Sequence, residues 1–224
     1  MPSDVVSPAA VALAGVVLNV AVVMDPIGSI KTAKDSTFAL LLEAQRRGHR
    51  LHYIRPGGLG LANARTQAHC APLQVHEDSD PSQRDRWHTL DDFVTRPLSG
   101  FDVVLMRTDP PVDAAYLHDT QILSLAQREG VLVVNDPRGL RDLNEKLAAF
   151  EFPQCCPPTL VSRDAAALRA FVAAQGEAVL KPLDGMGGRS IFRASAGDPN
   201  LNVILETLLG AGYASHGQLV MAQR

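Results

Sequence analysis

Short Val-rich runs, each too brief for a helix, alternate along this chain with stretches of helical periodicity, and that alternation confines it to an α/β architecture. Asn19–Met24 is such a run, ended by Asp25-Pro26. Ser36–Arg47 follows, with apolar residues at Phe38, Leu41 and Leu42; Asp35 or Ser36 can cap its start and Gly48 its end. Leu51–Ile54 is a second short strand, Pro56–Pro72 has the turns of a hairpin, and Glu77–Arg86 reads as an exposed polar loop. Phe101–Met106 is the clearest strand. A helix at Ala114–Glu129, closed by Gly130, and a buried strand at Val131–Val134 complete the first part. Strand, helix, strand at these intervals predicts a parallel sheet.

The texture changes after Phe150. The joint Phe152-Pro153-Gln154-Cys155-Cys156-Pro157-Pro158 cannot continue a helix, because proline lacks the amide hydrogen and restricts the residue before it. Beyond it the pattern predicts strands at Thr159–Val161, Ala178–Lys181, Ser190–Arg193 and Leu219–Gln223, with helices at Ala165–Gln175 and near Leu201–Leu209. The resulting organisation is a loose extension over 1–17, a parallel α/β domain over 18–150, and a smaller α+β lobe over 151–224 that stops, incomplete, at its last strand. At 224 residues the chain can bury roughly 70% of its unfolded surface, enough for one generous core or two modest ones.

Charge and composition narrow the partners. Twenty-one basic residues face 24 acidic ones, with no basic stripe and only 5% aromatics, which argues against nucleic acid. Val11–Met24 is nearly all apolar but falls short of the about 20 residues that span a bilayer. No Lys or Arg precedes Lys31, so the basic region of a signal peptide is missing. Three cysteines, Cys70, Cys155 and Cys156, suit reduced thiols. The expectation is a cytoplasmic protein with neither membrane nor nucleic-acid partner.

The strongest chemical signal is Lys181-Pro182-Leu183-Asp184-Gly185-Met186-Gly187-Gly188-Arg189-Ser190. It is no Walker A loop, since Arg189 stands where Lys is needed and the spacing is too short. Nor is it a dinucleotide fingerprint, because a strand follows it where a helix should. Its glycines instead sit between two strands, where exposed backbone N–H groups can wrap phosphate oxygens. Lys181, ending an apolar strand beneath them, is placed to neutralise phosphate charge. Lys146 lies in Asn144-Glu145-Lys146 at a short helix before the joint and alone would read as surface charge. Polar loops follow three strands: Asp25-Pro26-Ile27 with Lys34, Asp35 and Ser36 beyond it, Arg107-Thr108-Asp109-Pro110-Pro111, and Asn135-Asp136-Pro137. Open parallel sheets bind ligands at the carboxyl ends of their strands, so these loops should share one edge and favour a small polar ligand. His49 and His52 do not form a metal pair, Cys155-Cys156 lacks metal-ligand spacing, no Gly-x-Ser-x-Gly elbow occurs, and lone Trp87 covers a core edge.

Val23-Met24-Asp25-Pro26-Ile27, Lys34-Asp35-Ser36-Thr37-Phe38, Met106-Arg107-Thr108-Asp109-Pro110-Pro111, Leu140-Arg141-Asp142-Leu143-Asn144-Glu145-Lys146 and Leu180–Gly188 together resemble the bacterial glutathione synthetases, ATP-grasp ligases, in order from about residue 19 to the end. The resemblance implies a pre-ATP-grasp domain followed by the first lobe of an ATP-grasp domain. It implies that Lys146 and Lys181 contact ATP, that Asp184, Gly185, Met186, Gly187 and Gly188 form a flap over it, and that Gln223 begins the adenine-side hinge. Asp25, Lys34, Asp35, Ser36, Arg107 and Asp109 become candidates for peptide binding. The implied reaction phosphorylates the γ-glutamylcysteine carboxylate with ATP and Mg²⁺ (or Mn²⁺), and the glycine amine then attacks the acyl phosphate; the implied assembly is a homo-oligomer. Members of this family continue past the Met-Ala-Gln strand, so the metal ligands are expected beyond Arg224 and this chain alone is expected to be a poor catalyst. The alternatives are a non-catalytic fragment that binds nucleotide or peptide, and another carboxylate–amine ligase of the same superfamily.

Overall fold

Asn19–Val23 (β1) starts the fold with four consecutive buried residues, the burial of a strand covered on both faces. The computed structural model describes residues 15–77, 87–210 and 217–224, so most of the predicted extension, most of the polar loop at 77–86, and residues 211–216 lie outside it. Ser36–Arg46 (α1) follows. Its cap is Asp35, whose Oδ1 accepts from the Phe38 N–H at 2.8 Å, one of the donors a helix start leaves unpaired. Arg50–Ala62 (β2) runs parallel to β1, with Asn19 opposite Arg50 and Val23 opposite Ile54.

Strand β2 continues well past the predicted Ile54 and folds back antiparallel on Arg65–Val75 (β3), the hairpin read at 56–72. Asn63 and Ala64 make the turn at φ 51° and 59°, the left-handed pair whose twist matches the flanking strands. His88–Leu90 (β4) and Val94–Pro97 (β5) both add to β3 antiparallel. Val103–Met106 (β6), Ala114–Arg128 (α2), Leu132–Val134 (β7) and Pro137–Asp142 (α3) come next. The strand order is β4-β3-β2-β1-β6-β7, with β5 beside β3. The α/β fold is therefore present, but the sheet is mixed: parallel at β1–β2 and antiparallel through the hairpin. The parallel expectation holds at β1–β2, and the hairpin read at 56–72 adds the antiparallel part, because a tight turn, unlike a helix, reverses strand direction within two residues.

The chain divides into two units, one reaching Leu105 and adding Glu129–Leu132, the other comprising Met106–Arg128 and Val133–Arg224. In the first unit Val20, Val22, Met24, Phe38, Leu41 and Tyr53 pack with Trp87. Trp87 lies inside this core at 1% exposure, edge-to-face with Phe38 at 5.3 Å, and so does not cover an edge as expected. The large apolar surface of an indole favours this full burial.

His52, buried on β2, pairs with Arg96 across 3.0 Å. A guanidinium only donates, so Nε2 of His52 accepts and its proton sits on Nδ1. Burial, then the charge of Arg96, holds this imidazole below its ordinary value. The unfolded chain therefore binds the extra proton first. Stability from this pair is complete above the free-imidazole value of about 6.5 and is lost as pH falls through it toward the folded value. We expect His52→Gln, which keeps an acceptor for Arg96 but cannot titrate, to differ from wild type in melting temperature by less at pH 5.5 than at pH 7.5. Melting curves that stay parallel across that range would assign the acid sensitivity elsewhere.

In the second unit Thr159–Ser162 (β8), Ala165–Gln175 (α4), Glu177–Pro182 (β9), Phe192–Ser195 (β10), Leu201–Leu209 (α5) and Val220–Gln223 (β11) build an antiparallel sheet ordered β10-β9-β11-β8. Asp164 caps α4 by accepting from the Ala166 N–H at 2.8 Å. Alternate residues Ala178, Leu180, Ala194, Val220 and Ala222 turn one face onto α4 and α5, where Leu168, Val172, Leu205 and Leu208 close the core. Both helices run as predicted. β10 begins at Phe192 and not at Ser190, because Gly187, Gly188 and Ser190 all take positive φ and prolong the turn.

Candidate functional site

The face of the four-stranded sheet turned away from α4 and α5 carries the polar residues. Lys181 on β9 lies opposite Met221 on β11, and two residues along β11 stands Gln223, on the same face by the period of two. The Lys181 ammonium donates to Gln223 Oε1 at 2.9 Å. The Gln223 amide in turn donates to Thr159 Oγ1 at 3.1 Å, and that hydroxyl donates to the Pro157 carbonyl at 2.8 Å. Every acceptor in this relay is neutral, so the lysine charge is oriented but not cancelled. Thr159 was not anticipated; its place directly after Pro157-Pro158, at the start of a strand pairing with Gln223, was the available signal.

Residues 183–191 connect β9 to β10. A Cβ on Gly185 would stand 3.0 Å from the Pro182 side chain, so this position is tight as well as turned. Gly187 and Gly188 have φ of 66° and 78°, and Met186 is exposed. Lys146 belongs to this loop in space. Its ammonium, on a side chain only 12% exposed, donates to the carbonyls of Gly185 at 2.7 Å and Leu183 at 3.1 Å, and to Glu145 Oε1 at 2.7 Å. An ammonium has three donors, so all three are engaged.

A cavity of about 570 Å³ opens beside the loop. Asp184 and Gly185 form part of its wall, joined by Pro110 and Val112 from the segment after β6 and by Asn135 and Asp136 after β7. Two of the three predicted strand-end loops thus meet the glycine segment at one cavity. Asp136 is already committed there: its Oδ1 accepts the Arg138 and Gly139 N–H groups as the cap of α3, and its Oδ2 accepts from Gln127. The Gly139 N–H, then Gln127, holds its carboxyl below the usual range. Tyr116, also in the wall, is pushed up by burial and so stays a neutral phenol.

Arg107 and Asp109 precede Pro110 in the second unit, while Asp25, Lys34, Asp35 and Ser36 belong to the first. Within the first unit the Tyr53 hydroxyl donates to the Asp25 carbonyl at 3.2 Å, and Asp35 spends Oδ1 on its helix cap. Lys34 ends a short 3₁₀ turn, Thr32–Lys34. Among the described residues no group of three or more His, Cys, Asp or Glu could hold a metal ion, and no helix is long and apolar enough to cross a membrane.

The family model for the prokaryotic glutathione synthetase N-terminal domain matches residues 18–141, and that for the prokaryotic glutathione synthetase ATP-grasp domain matches residues 145–224. The glutathione synthetase of Xanthomonas campestris pv. campestris is 66% identical over 207 residues, covering 92% of this chain and 63% of that protein. That of Escherichia coli O157:H7 is 47% identical over 195 residues, covering 87% and 60%. The chain thus spans less than two thirds of the length of these relatives. Among solved structures, a RimK-domain ATP-grasp protein from Sphaerobacter thermophilus superposes with a TM-score of 0.54 at 21% identity, covering 92% of this chain and 63% of that one. The D-cycloserine synthetase DcsG gives 0.53 at 19% identity, covering 92% and 59%. These two share the fold.

Proposed function

Because the chain belongs to the prokaryotic glutathione synthetase family, we propose that it holds the nucleotide site and part of the peptide site of a ligase that joins γ-glutamylcysteine to glycine at the expense of ATP. One observation carries the reading: Lys181, oriented by a neutral glutamine, shares a unit with a glycine-rich hairpin to which a second lysine, Lys146, is bonded. Two ammonium groups and the amides of a turn with positive φ are the donor set that a polyphosphate needs. In this reading Lys181 meets phosphate oxygens directly and Lys146 exchanges a loop carbonyl for one, Asp184, Gly185, Met186, Gly187 and Gly188 cover them, and Gln223 marks the adenine side.

ATP supplies the phosphoryl group that activates the substrate carboxylate as an acyl phosphate, releasing ADP, and the glycine amine then attacks the acyl carbon and displaces phosphate. What this chain contributes is binding and charge. Cations held in place before reaction offset negative charge without reorganising, and a covering loop keeps water from an intermediate that hydrolyses readily. ATP-grasp ligases use a divalent ion, Mg²⁺ or Mn²⁺, with ATP, and the described residues offer no cluster of three or more His, Cys, Asp or Glu to seat one. Arg107 is the group best suited to a substrate carboxylate, since a guanidinium can grip one with two parallel bonds. Asp25, Lys34, Asp35, Ser36 and Asp109 complete the proposed peptide contacts, and a cytoplasmic homo-oligomer belongs to the same reading.

Calorimetric titration of the 224-residue chain with AMPPNP should show saturable binding at one site per chain. Appending the carboxyl-terminal part of the Xanthomonas relative should then give ADP release that requires γ-glutamylcysteine and glycine together. Absence of nucleotide binding by both proteins would overturn the proposal.

A further inference from the structure

The turn before Lys146 makes more hydrogen bonds than a connector requires. Asn144 Oδ1 accepts from both the Lys146 N–H, at 3.0 Å, and the Leu147 N–H, at 3.1 Å, while its Nδ2 donates to the Leu183 carbonyl at 3.4 Å. The same Leu183 carbonyl receives the Lys146 ammonium, which also takes the Gly185 carbonyl. Asn144 therefore fixes the backbone that launches Lys146, and it touches the loop that Lys146 holds, 39 residues away in sequence. Both members of each pair lie in the second unit.

From this we infer that Asn144 is a positioning residue of the nucleotide site, setting Lys146 and residues 183–185 in one hydrogen-bonded assembly. It touches no reacting atom and acts through the lysine. The inference rests on the proposed nucleotide site for its consequence, but the assembly exists without any ligand and can be tested without one. An amide is the suited side chain because the position needs an acceptor facing two N–H groups and a donor facing a carbonyl at once. Aspartate supplies only the first function, and alanine neither. Without the cap, two amides at the start of the 3₁₀ segment Leu147–Glu151 lose their partner and the direction of the Lys146 side chain is no longer defined.

Arg189 lies in the same loop, exposed, so the Arg189–Ser190 bond is a built-in trypsin reporter. We expect Asn144→Ala, without nucleotide, to be cut at that bond roughly tenfold faster than wild type, the upper scale of removing one hydrogen bond between neutral groups. Lys146→Met should do the same, and the double variant should be no faster than either single one, since both remove one assembly. Asn144→Asp, which keeps the cap, should fall between wild type and Asn144→Ala. AMPPNP affinity should drop from wild type through Asn144→Asp to Asn144→Ala as cleavage rises, and should drop further in Lys146→Met, which also loses the proposed phosphate contact. Equal cleavage at Arg189 in wild type, Asn144→Ala and Lys146→Met would overturn the inference, as would fully additive effects in the double variant. If wild type binds no nucleotide but the cleavage pattern holds, the proposed function fails and the assembly stands. Should Asn144→Ala not fold, Lys146→Met and Asn144→Asp carry the comparison alone.

Discussion

Lys181→Ala is expected to weaken AMPPNP binding roughly 10- to 100-fold, the cost of one hydrogen bond to a charged group. The lysine is held by the Gln223 amide oxygen at 2.9 Å, so its charge meets a ligand already aimed. Lys181→Arg should recover little, because a planar fork cannot occupy the place of a compact ammonium against that oxygen. Gln223→Glu is the more telling variant. It leaves the lysine in place but pairs it with a carboxylate, and affinity should fall although no cation has been removed. Calorimetry on the four proteins separates the cases; binding within twofold of wild type for Lys181→Ala would remove this residue from the site.

Gly58→Ala should cost about 2–3 kcal/mol, the scale of overpacking a closed interior. The position lies where the pairing of β2 and β3 shifts register, between Ile54 and Leu59. A Cβ there would stand 2.9 Å from the carbonyl oxygens of both Arg55 and His69, and backbone on both sides has no rotamer to yield. Neighbouring Gly57 has φ 73° but open space around it, so Gly57→Ala should be strained without colliding and should cost less. Urea midpoints of the two variants, measured side by side, test the order. A Gly58→Ala midpoint equal to wild type would mean the strand pairing relaxes freely at this point.

How far the sequence was legible depends on the range of the interaction that decides each feature. Helices α1, α4 and α5 were readable because caps and apolar spacing are local: Asp35, Asp164 and the Leu201–Leu209 stripe declare themselves within one turn. The antiparallel extent of β2 was not, since Asn63-Ala64 is a weak turn signal and the strand beyond Ile54 is stabilised by partners on β3. Lys181 and the glycines stood out as a contiguous motif. Spacing alone left Lys146 as surface charge; the family resemblance marked it, and the Leu183 and Gly185 carbonyls far along the chain account for how it is held. Asn144, whose partner in the loop is a distant backbone carbonyl, carried no pattern that spacing could reveal, and Thr159 offered only its place after Pro157-Pro158.

Strands β9 and β11 have two faces with opposite demands, and one sorts the other. Leu180 and Ala222 are locked among the leucines of α4 and α5, while Lys181 and Gln223 occupy the reverse side of the same ribbons. Sliding β11 by a single residue would bring Gln223 under the helices and present Ala222 to the lysine. Oil on one side thus acts as a ratchet for charge on the other. Selection on α5 for nothing more than tight packing would preserve the reach between an ammonium and an amide on the far side of the sheet, and loosening a residue such as Leu205 would blur that register before it unfolded anything.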